Sequence, residues 1–505
     1  MELDAKRFSE GTALDTDLCI VGAGPAGFVL AAEFVGRQCD VIVLESGGDR
    51  PEAGILALNV GDVTGDVYAG LGATRHRQLG GTSCLWNTEI GGTAGAKYAP
   101  LDAADFDERS GFEHGGWPFG IGELREHYDR AQRICALGPF AYDAPAWSAT
   151  GREPWSALGP DLVSRVYQLG ARDAFIAPLR ASIAGATNIR LCSHATVTGL
   201  HADAAGRRMT HASIATPGAA KWSVRAKRFV LAAGAVENAR LLLISGESAH
   251  GLGNASGWVG RGFMEHPRDR ALSLRPRSPD LYRSAGFYDL RHAADGTWIV
   301  GRLALSDAAL ATGQLPNASA TLLPRMRAAT DKLRAVLPAF AARSLPSGGH
   351  GWSRQHAAAR AFDGFTVLLN VEQSPHPENR VTLSARRDSL GVPLPALEWR
   401  WRADDHQRLE RLRAVVAREL DAAGLGQITV DAKAIPDPNA HHHAGTTRMH
   451  VDPRRGVTDS DGRVHATENV YVAGASTFPT AGFANPVLTI VALTLRLAAH
   501  LTRSS

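Results

Sequence analysis

Asp17-Leu18-Cys19-Ile20-Val21-Gly22-Ala23-Gly24-Pro25-Ala26-Gly27-Phe28-Val29-Leu30-Ala31-Ala32 is the stretch that decides the fold. An apolar, strand-like run ends at Val21 and enters the turn Gly22-x-Gly24-x-x-Gly27; residues 28–35 then read as a helix. Residues 40–45, Asp-Val-Ile-Val-Leu-Glu, read as a second strand, so the chain opens with a βαβ unit. Each glycine answers a separate demand. Gly22 permits the tight turn, Gly24 lets the backbone approach a pyrophosphate, and Gly27 lets helix and strand pack closely. The helix N-terminus then offers free N–H groups and a partial positive charge to phosphates. Glu45 ends the second strand 23 residues after Gly22, where a carboxylate can accept hydrogen bonds from ribose hydroxyls. The turn by itself does not separate FAD from NAD.

Outward from this unit, two later runs read as buried strands of the same sheet, residues 228–234 and 469–474, each ending in small residues and Gly. Residues 46–122 read as Gly-rich loop, and helical periodicity is expected near 121–136 and 162–174. From 266 to 435 strand-like runs (365–371, 380–383, 396–401) alternate with Ala/Arg-rich helices such as 404–423, the texture of an α+β domain.

With 505 residues the chain is too long for one simple core. Lys plus Arg total 54 against 51 Asp plus Glu, a near-neutral +3 that predicts no nucleic-acid or membrane partner. Cys19, Cys39, Cys84, Cys135 and Cys192 are scattered and form no CxxC pair, which argues against a disulfide framework and against zinc or iron–sulfur sites. The first 17 residues are polar and mixed in charge, with no secretory h-region. The apolar stretch 486–501 is short and interrupted by Arg496 and His500, so no membrane span is expected and a cytoplasmic location is.

Near the C-terminus stands His441-His442-His443-Ala444-Gly445-Thr446-Thr447-Arg448-Met449, and roughly forty residues later Ala481-Gly482-Phe483-Ala484-Asn485-Pro486 opens an apolar helix. Asn485 suits an N-cap and Pro486 a first helical position. Five stretches together resemble the glucose-methanol-choline oxidoreductases, especially their bacterial sugar-oxidising and pyranose-oxidase-like branch. They are Gly22–Gly27 with Glu45; Leu79-Gly80-Gly81-Thr82-Ser83-Cys84-Leu85-Trp86-Asn87; the run from Leu231 through Ala233-Gly234 to Leu242; the His-Ala-Gly-Thr-Thr-Arg-Met block; and residues 482–486 with their helix. Any one is weak, but all five in this order are specific and span nearly the whole chain.

The resemblance implies an α/β fold. Its discontinuous, Rossmann-like FAD domain would comprise residues 1–90, 186–265 and 435–505. An α+β substrate domain with a largely antiparallel sheet would comprise 91–185 and 266–434. FAD would be held by Gly22, Gly24, Ala26, Gly27, Glu45, Gly80, Gly81, Ser83, Asn87, Val197, Ala233, Gly234, Gly474, Ala475, Asn485 and Pro486. Some family members attach FAD through a histidine in the 80–87 loop; Leu85 stands at that position here, which implies noncovalent FAD. The positive end of the helix after Asn485 would stabilise a reduced flavin.

The family pairs a histidine with an asparagine or second histidine before the flavin ring, which carries over to His442 and Asn485. His443 is the alternative register for the base. A metal held by His441, His442, His443 and His450 is a competing reading, disfavoured because adjacent residues rarely converge on one ion. His266, in Phe-Met-Glu-His-Pro, resembles a short family motif, although a loop histidine fixed by Pro267 is the favoured reading. Trp117, Trp352, Trp399 and Trp401 read as packing residues more readily than as sugar platforms. His450 replaces the glycine usual after Arg-Met, and Thr447 stands where some relatives carry His or Cys.

The expected activity is FAD-dependent oxidation of a CH–OH group of a sugar or glycoside to a carbonyl, with a histidine base. Oxidation of a hydroxyl on an aminoglycoside or other natural product is the alternative. The sequence specifies neither the substrate hydroxyl nor whether oxygen or another acceptor takes the electrons. An NAD-dependent dehydrogenase would share the N-terminal turn but would need neither Gly474 nor the Asn-Pro element.

Overall fold

The computed structural model describes residues 1–109, 112–246, 248, 250–312, 315–328, 332, 349–354 and 358–503. Three sheets organise these residues. In the first, Glu2–Asp4, Ile189–Ser193, Val41–Leu44, Ala13–Val21 and Trp222–Leu231 lie side by side and parallel. The long strand Trp222–Leu231 has two partners on its other side. Its first half pairs antiparallel with Met209–Ala215, and its end pairs parallel with Val470–Val472. The sheet thus joins pieces hundreds of residues apart; Val41–Leu44 and Val470–Val472 are buried throughout, as are the C-terminal ends of Ala13–Val21 and Trp222–Leu231.

The glycine turn fits as its spacing requires. Gly22 has φ 106°, and a Cβ there would lie 2.6 Å from the Ala232 carbonyl oxygen. A Cβ on Gly27 would lie 1.9 Å from the Gly22 carbonyl oxygen, so only glycine lets the helix Pro25–Ala32 sit this close to its strand.

The second sheet has nine strands among the described residues and is antiparallel in its pairings; Arg291–His292 pairs with Trp298–Leu305 beside the main order. Its order runs Gly426–Val430, Arg268–Pro276, Phe362–Val371, Ala318–Met326, Trp298–Leu305, Leu162–Ala171, Thr93–Tyr98, Thr88–Ile90. A third sheet joins Arg380–Arg387 and Pro393–Trp399 to Asp62–Gly65.

Three local expectations are corrected. Residues 162–174 are not a helix: Leu162–Ala171 is a central strand, and the helix Arg172–Gly185 follows it. Residues 166–170 are buried without interruption between two neighbouring strands, which erases the alternation that identifies a half-exposed strand. Second, the supposed loop 46–122 contains the strands Asp62–Gly65, Thr88–Ile90 and Thr93–Tyr98. Thr-Ala-Gly-Ala-Lys-Tyr has little strand propensity of its own, and pairing with Leu162–Ala171 imposes the conformation. Third, the last helix is Val487–Arg503, with Ile490 N–H bonded to the Pro486 carbonyl, so Pro486 rather than Asn485 stands at the capping position.

Candidate functional site

A cavity of about 250 Å³ opens where the parallel strands of the first sheet end, lined by Val21, Leu44, Ala232 and Ala473 among others. Strand ends of this kind are where open α/β sheets bind ligands. Of the residues singled out in the sequence, Gly22, Gly24, Ala26, Glu45, Gly81, Ser83, Val197, Ala233, Gly234, His441, His442, His443, Gly474, Ala475, Asn485 and Pro486 line it. Gly27, Gly80 and Asn87 do not. Gly27 packs against the glycine turn, Gly80 donates its N–H to Ala23 (2.9 Å), and Asn87 is exposed.

At one end two glycine loops meet. A Cβ on Gly24 would lie 3.8 Å from the Gly81 Cα, and one on Gly81 would lie 3.0 Å from the Gly24 Cα. Ser83 Oγ holds the second loop by donating to the Gly80 carbonyl (2.6 Å). Glu45 is buried, and its carboxylate accepts from Ala23 N–H and Gly47 N–H at 2.9 Å each. Burial pushes its carboxyl up, and these amides oppose that shift. Each oxygen keeps a second acceptor site for a ribose hydroxyl. Gly234 (φ 83°) and Gly474 (φ 108°) end their strands with no protein atom within 4 Å of where a Cβ would stand.

The sequence reading missed a charged wall. Glu237 faces the cavity with Arg75, Arg77 and Arg240. Burial pushes the Glu237 carboxyl up, but the guanidinium groups of Arg77, Arg75 and Arg240 reverse this and hold it ionised. Nothing short of the tertiary structure gathers residues 75, 77 and 237.

The other end is built of histidines. His442 Nε2 lies 3.1 Å from Asn485 Nδ2, and its Nδ1 lies 3.0 Å from His266 Nδ1. His266 Nε2 lies 3.2 Å from the Ala481 carbonyl oxygen. Beneath them, Glu265 Oε2 accepts from His442 N–H (2.9 Å) and His266 N–H (3.2 Å), while Oε1 accepts from Tyr68 Oη (2.6 Å). His443 turns the opposite way, to Tyr68 Oη at 2.9 Å. His441 adopts φ 62°, and this left-handed residue aims the next two side chains apart. Burial drives His442 well below the usual imidazole range, His266 down to about 4 and His443 down to about 3. Burial also pushes Glu265 up to about 7.

His266 is therefore no simple loop residue: it is 1% exposed and touches His442. The four histidines of the metal reading do not gather, since His450 bonds to the Asp452 backbone. Glu265, His441 and His443 do offer atoms within 4.8 Å of one another, but both Glu265 oxygens are already engaged by Tyr68 and by backbone N–H groups. The four tryptophans are buried, Trp117 against Thr480 and Trp399 against Gln373.

This cavity fits FAD. The paired glycines leave room for a pyrophosphate, Glu45 keeps acceptor sites, and the histidine end suits a redox ring with its substrate. Residues 375–494 match the family model described as GMC oxidoreductase. Paromamine 6'-oxidase of Streptomyces fradiae is 27% identical, over 95% of this chain and 90% of its own length. The 6'''-hydroxyparomomycin C oxidase of Streptomyces lividus is 25% identical, over 96% and 92%. Among solved structures, pyridoxine 4-oxidase from Mesorbium loti superposes with a TM-score of 0.54 at 17% identity, covering 97% of this chain and 99% of that one. Residues 375–494 thus match the GMC oxidoreductase family, and nearly the whole chain is similar to oxidases acting on CH–OH groups.

Proposed function

We propose that this enzyme oxidises a CH–OH group of a sugar or glycoside to a carbonyl, with His442 as the base and Asn485 as its partner. The observation that carries the assignment is the 3.1 Å contact between His442 Nε2 and Asn485 Nδ2, with both residues lining the cavity. A hydroxyl set against this pair can pass its proton to the imidazole while the amide N–H donates to the same oxygen. Bound FAD supplies the hydride acceptor. A neutral imidazole is required for the step, and burial keeps His442 neutral. His443 is a poorer base because its Nε2 is engaged with Tyr68.

Two relatives aligned over nearly the whole chain are named for oxidising paromamine and 6'''-hydroxyparomomycin C, which favours an aminoglycoside hydroxyl as a second reading. Anaerobic mixing of the oxidised enzyme with a panel of sugars, glycosides and aminoglycosides distinguishes the two. Bleaching of the flavin by the first two groups supports the first reading. Bleaching by aminoglycosides alone supports the second, and bleaching by none defeats both.

FAD is held noncovalently in this reading, supported by Leu85 at the position where an attaching histidine would stand. Acid precipitation should release all the flavin, and colour left in the pellet refutes this. Among the described residues no helix is long and apolar enough to cross a membrane. A cytoplasmic location is supported by five free cysteines.

A further inference from the structure

We infer that His266 is a positioning residue that fixes the tautomer of His442 so that Nε2, the atom facing Asn485, carries no proton. The inference rests on His442 being the base. It follows from the direction of four linked groups. A backbone carbonyl can only accept, so the 3.2 Å contact between His266 Nε2 and the Ala481 oxygen places a proton on that Nε2. His266 is neutral: burial drives its ring down to about 4, and the adjacent Glu265 oxygens are engaged by backbone N–H groups and the Tyr68 hydroxyl rather than by this imidazole. Its Nδ1 is therefore bare and can only accept. The ring nitrogen 3.0 Å away, His442 Nδ1, must donate to it. His442 is neutral too, so its single proton is spent on Nδ1 and its Nε2 is an acceptor. The amide nitrogen of Asn485, a donor, stands 3.1 Å from that Nε2. Every link agrees with one proton arrangement running from Asn485 through His442 and His266 to Ala481.

The arrangement also sets what happens to the proton. When the substrate O–H bond breaks, its proton bonds to Nε2, and the imidazolium so formed keeps Nδ1–H on His266. Without an acceptor at Nδ1 the neutral ring has no reason to prefer this tautomer, and rings protonated at Nε2 cannot take the hydroxyl proton. The anchor at Ala481 lies in the same loop as Asn485, so one segment holds both ends of the chain of bonds.

The test uses FAD-loaded enzyme and the variants His266→Met and His266→Gln. Met fills the space without an acceptor nitrogen, whereas the Gln carbonyl can still accept from His442 Nδ1. His266→Met is expected to slow flavin reduction about 10- to 100-fold, with FAD retained and substrate affinity unchanged, and His266→Gln to recover most of the rate. His442→Ala and the double variant His442→Ala/His266→Met should be equally slow, since His266 acts only through His442. A full-rate His266→Met overturns the inference, as does a double variant slower than His442→Ala by the full single-variant factor. A full-rate His442→Ala instead overturns the assignment of the base. Should His266→Met not fold, ¹⁵N-histidine NMR of the wild-type holoenzyme decides. The resonance pair lost in His442→Ala should show protonated Nδ1 and bare Nε2, and the reverse pattern refutes the proposal.

Discussion

The two ends of the cavity are made in different ways. The glycine end is backbone: Gly22, Gly24, Gly27 and Gly81 shape it by lacking side chains, and most of its geometry is set within six residues of chain. The histidine end is side chain on side chain. His442, Asn485, His266, Glu265 and Tyr68 come from four separate segments and hold each other by single hydrogen bonds. A backbone site fails through steric intrusion and takes the fold with it, whereas a side-chain network can lose one bond and leave the fold standing.

That contrast can be broken at five points. His442→Ala should cost about 10²- to 10⁴-fold in the rate of flavin reduction, the usual worth of a general base, while the protein stays yellow and folded. Stopped-flow traces of this variant beside His443→Ala decide the register, because only the former should approach that loss. Gly27→Ala should act oppositely. Its Cβ would stand 1.9 Å from a backbone oxygen, so a loss of about 1–3 kcal/mol or more in stability is expected, visible as a lower melting temperature. Gly24→Ala meets nothing nearer than 3.8 Å. It should melt like wild type and lose only FAD affinity, measured by flavin content after dialysis.

Asn485→Ser is subtler. Because Pro486 occupies the capping position and the Asn485 amide points to His442, stability should change by less than about 1 kcal/mol. Flavin reduction should still slow by about tenfold, equivalent to 1.36 kcal/mol of transition-state stabilisation. Unchanged kinetics would leave the residue no part in the chemistry.

A pH effect concerns Glu265, whose carboxyl is pushed from a usual 4.5 up to about 7 by burial. Between those values the native state holds a proton that the unfolded chain releases, so this group lowers stability as pH rises from about 4.5 to 7. Its unfavourable contribution is absent below that window and complete above it. Urea midpoints of wild type and Glu265→Gln across the window test this: the variant should show the flatter profile.

The same contrast explains what could be read from residues alone. The βαβ unit and the strands leading to Gly234 and Gly474 were legible because local pattern encodes them, whereas the pairing of His442 with Asn485 came from the family resemblance. The strand Leu162–Ala171 was misread because burial on both faces removes its period. Glu237 with Arg75 and Arg77 escaped notice because no local pattern joins residues 162 positions apart. His266 was noticed for its motif, but its contact with His442 spans 176 positions and shows only in three dimensions. The helix start was off by one residue, since Asn and Pro both favour helix beginnings and the competing pull of His442 on the Asn485 amide is invisible in a string of letters.

Val470–Val472 lies beside Trp222–Leu231 at the heart of the first sheet, and Gly474 and Asn485 follow it into the cavity. The order of synthesis gives this a further meaning. During translation the N-terminal glycine turn emerges first and then waits for more than four hundred residues before the strand that completes its pocket leaves the ribosome. Until then the strand Trp222–Leu231 has an open apolar margin, the kind of unpaired edge that invites association between nascent chains. Cofactor loading is thus a late event, because residues from both ends of the chain line the same cavity.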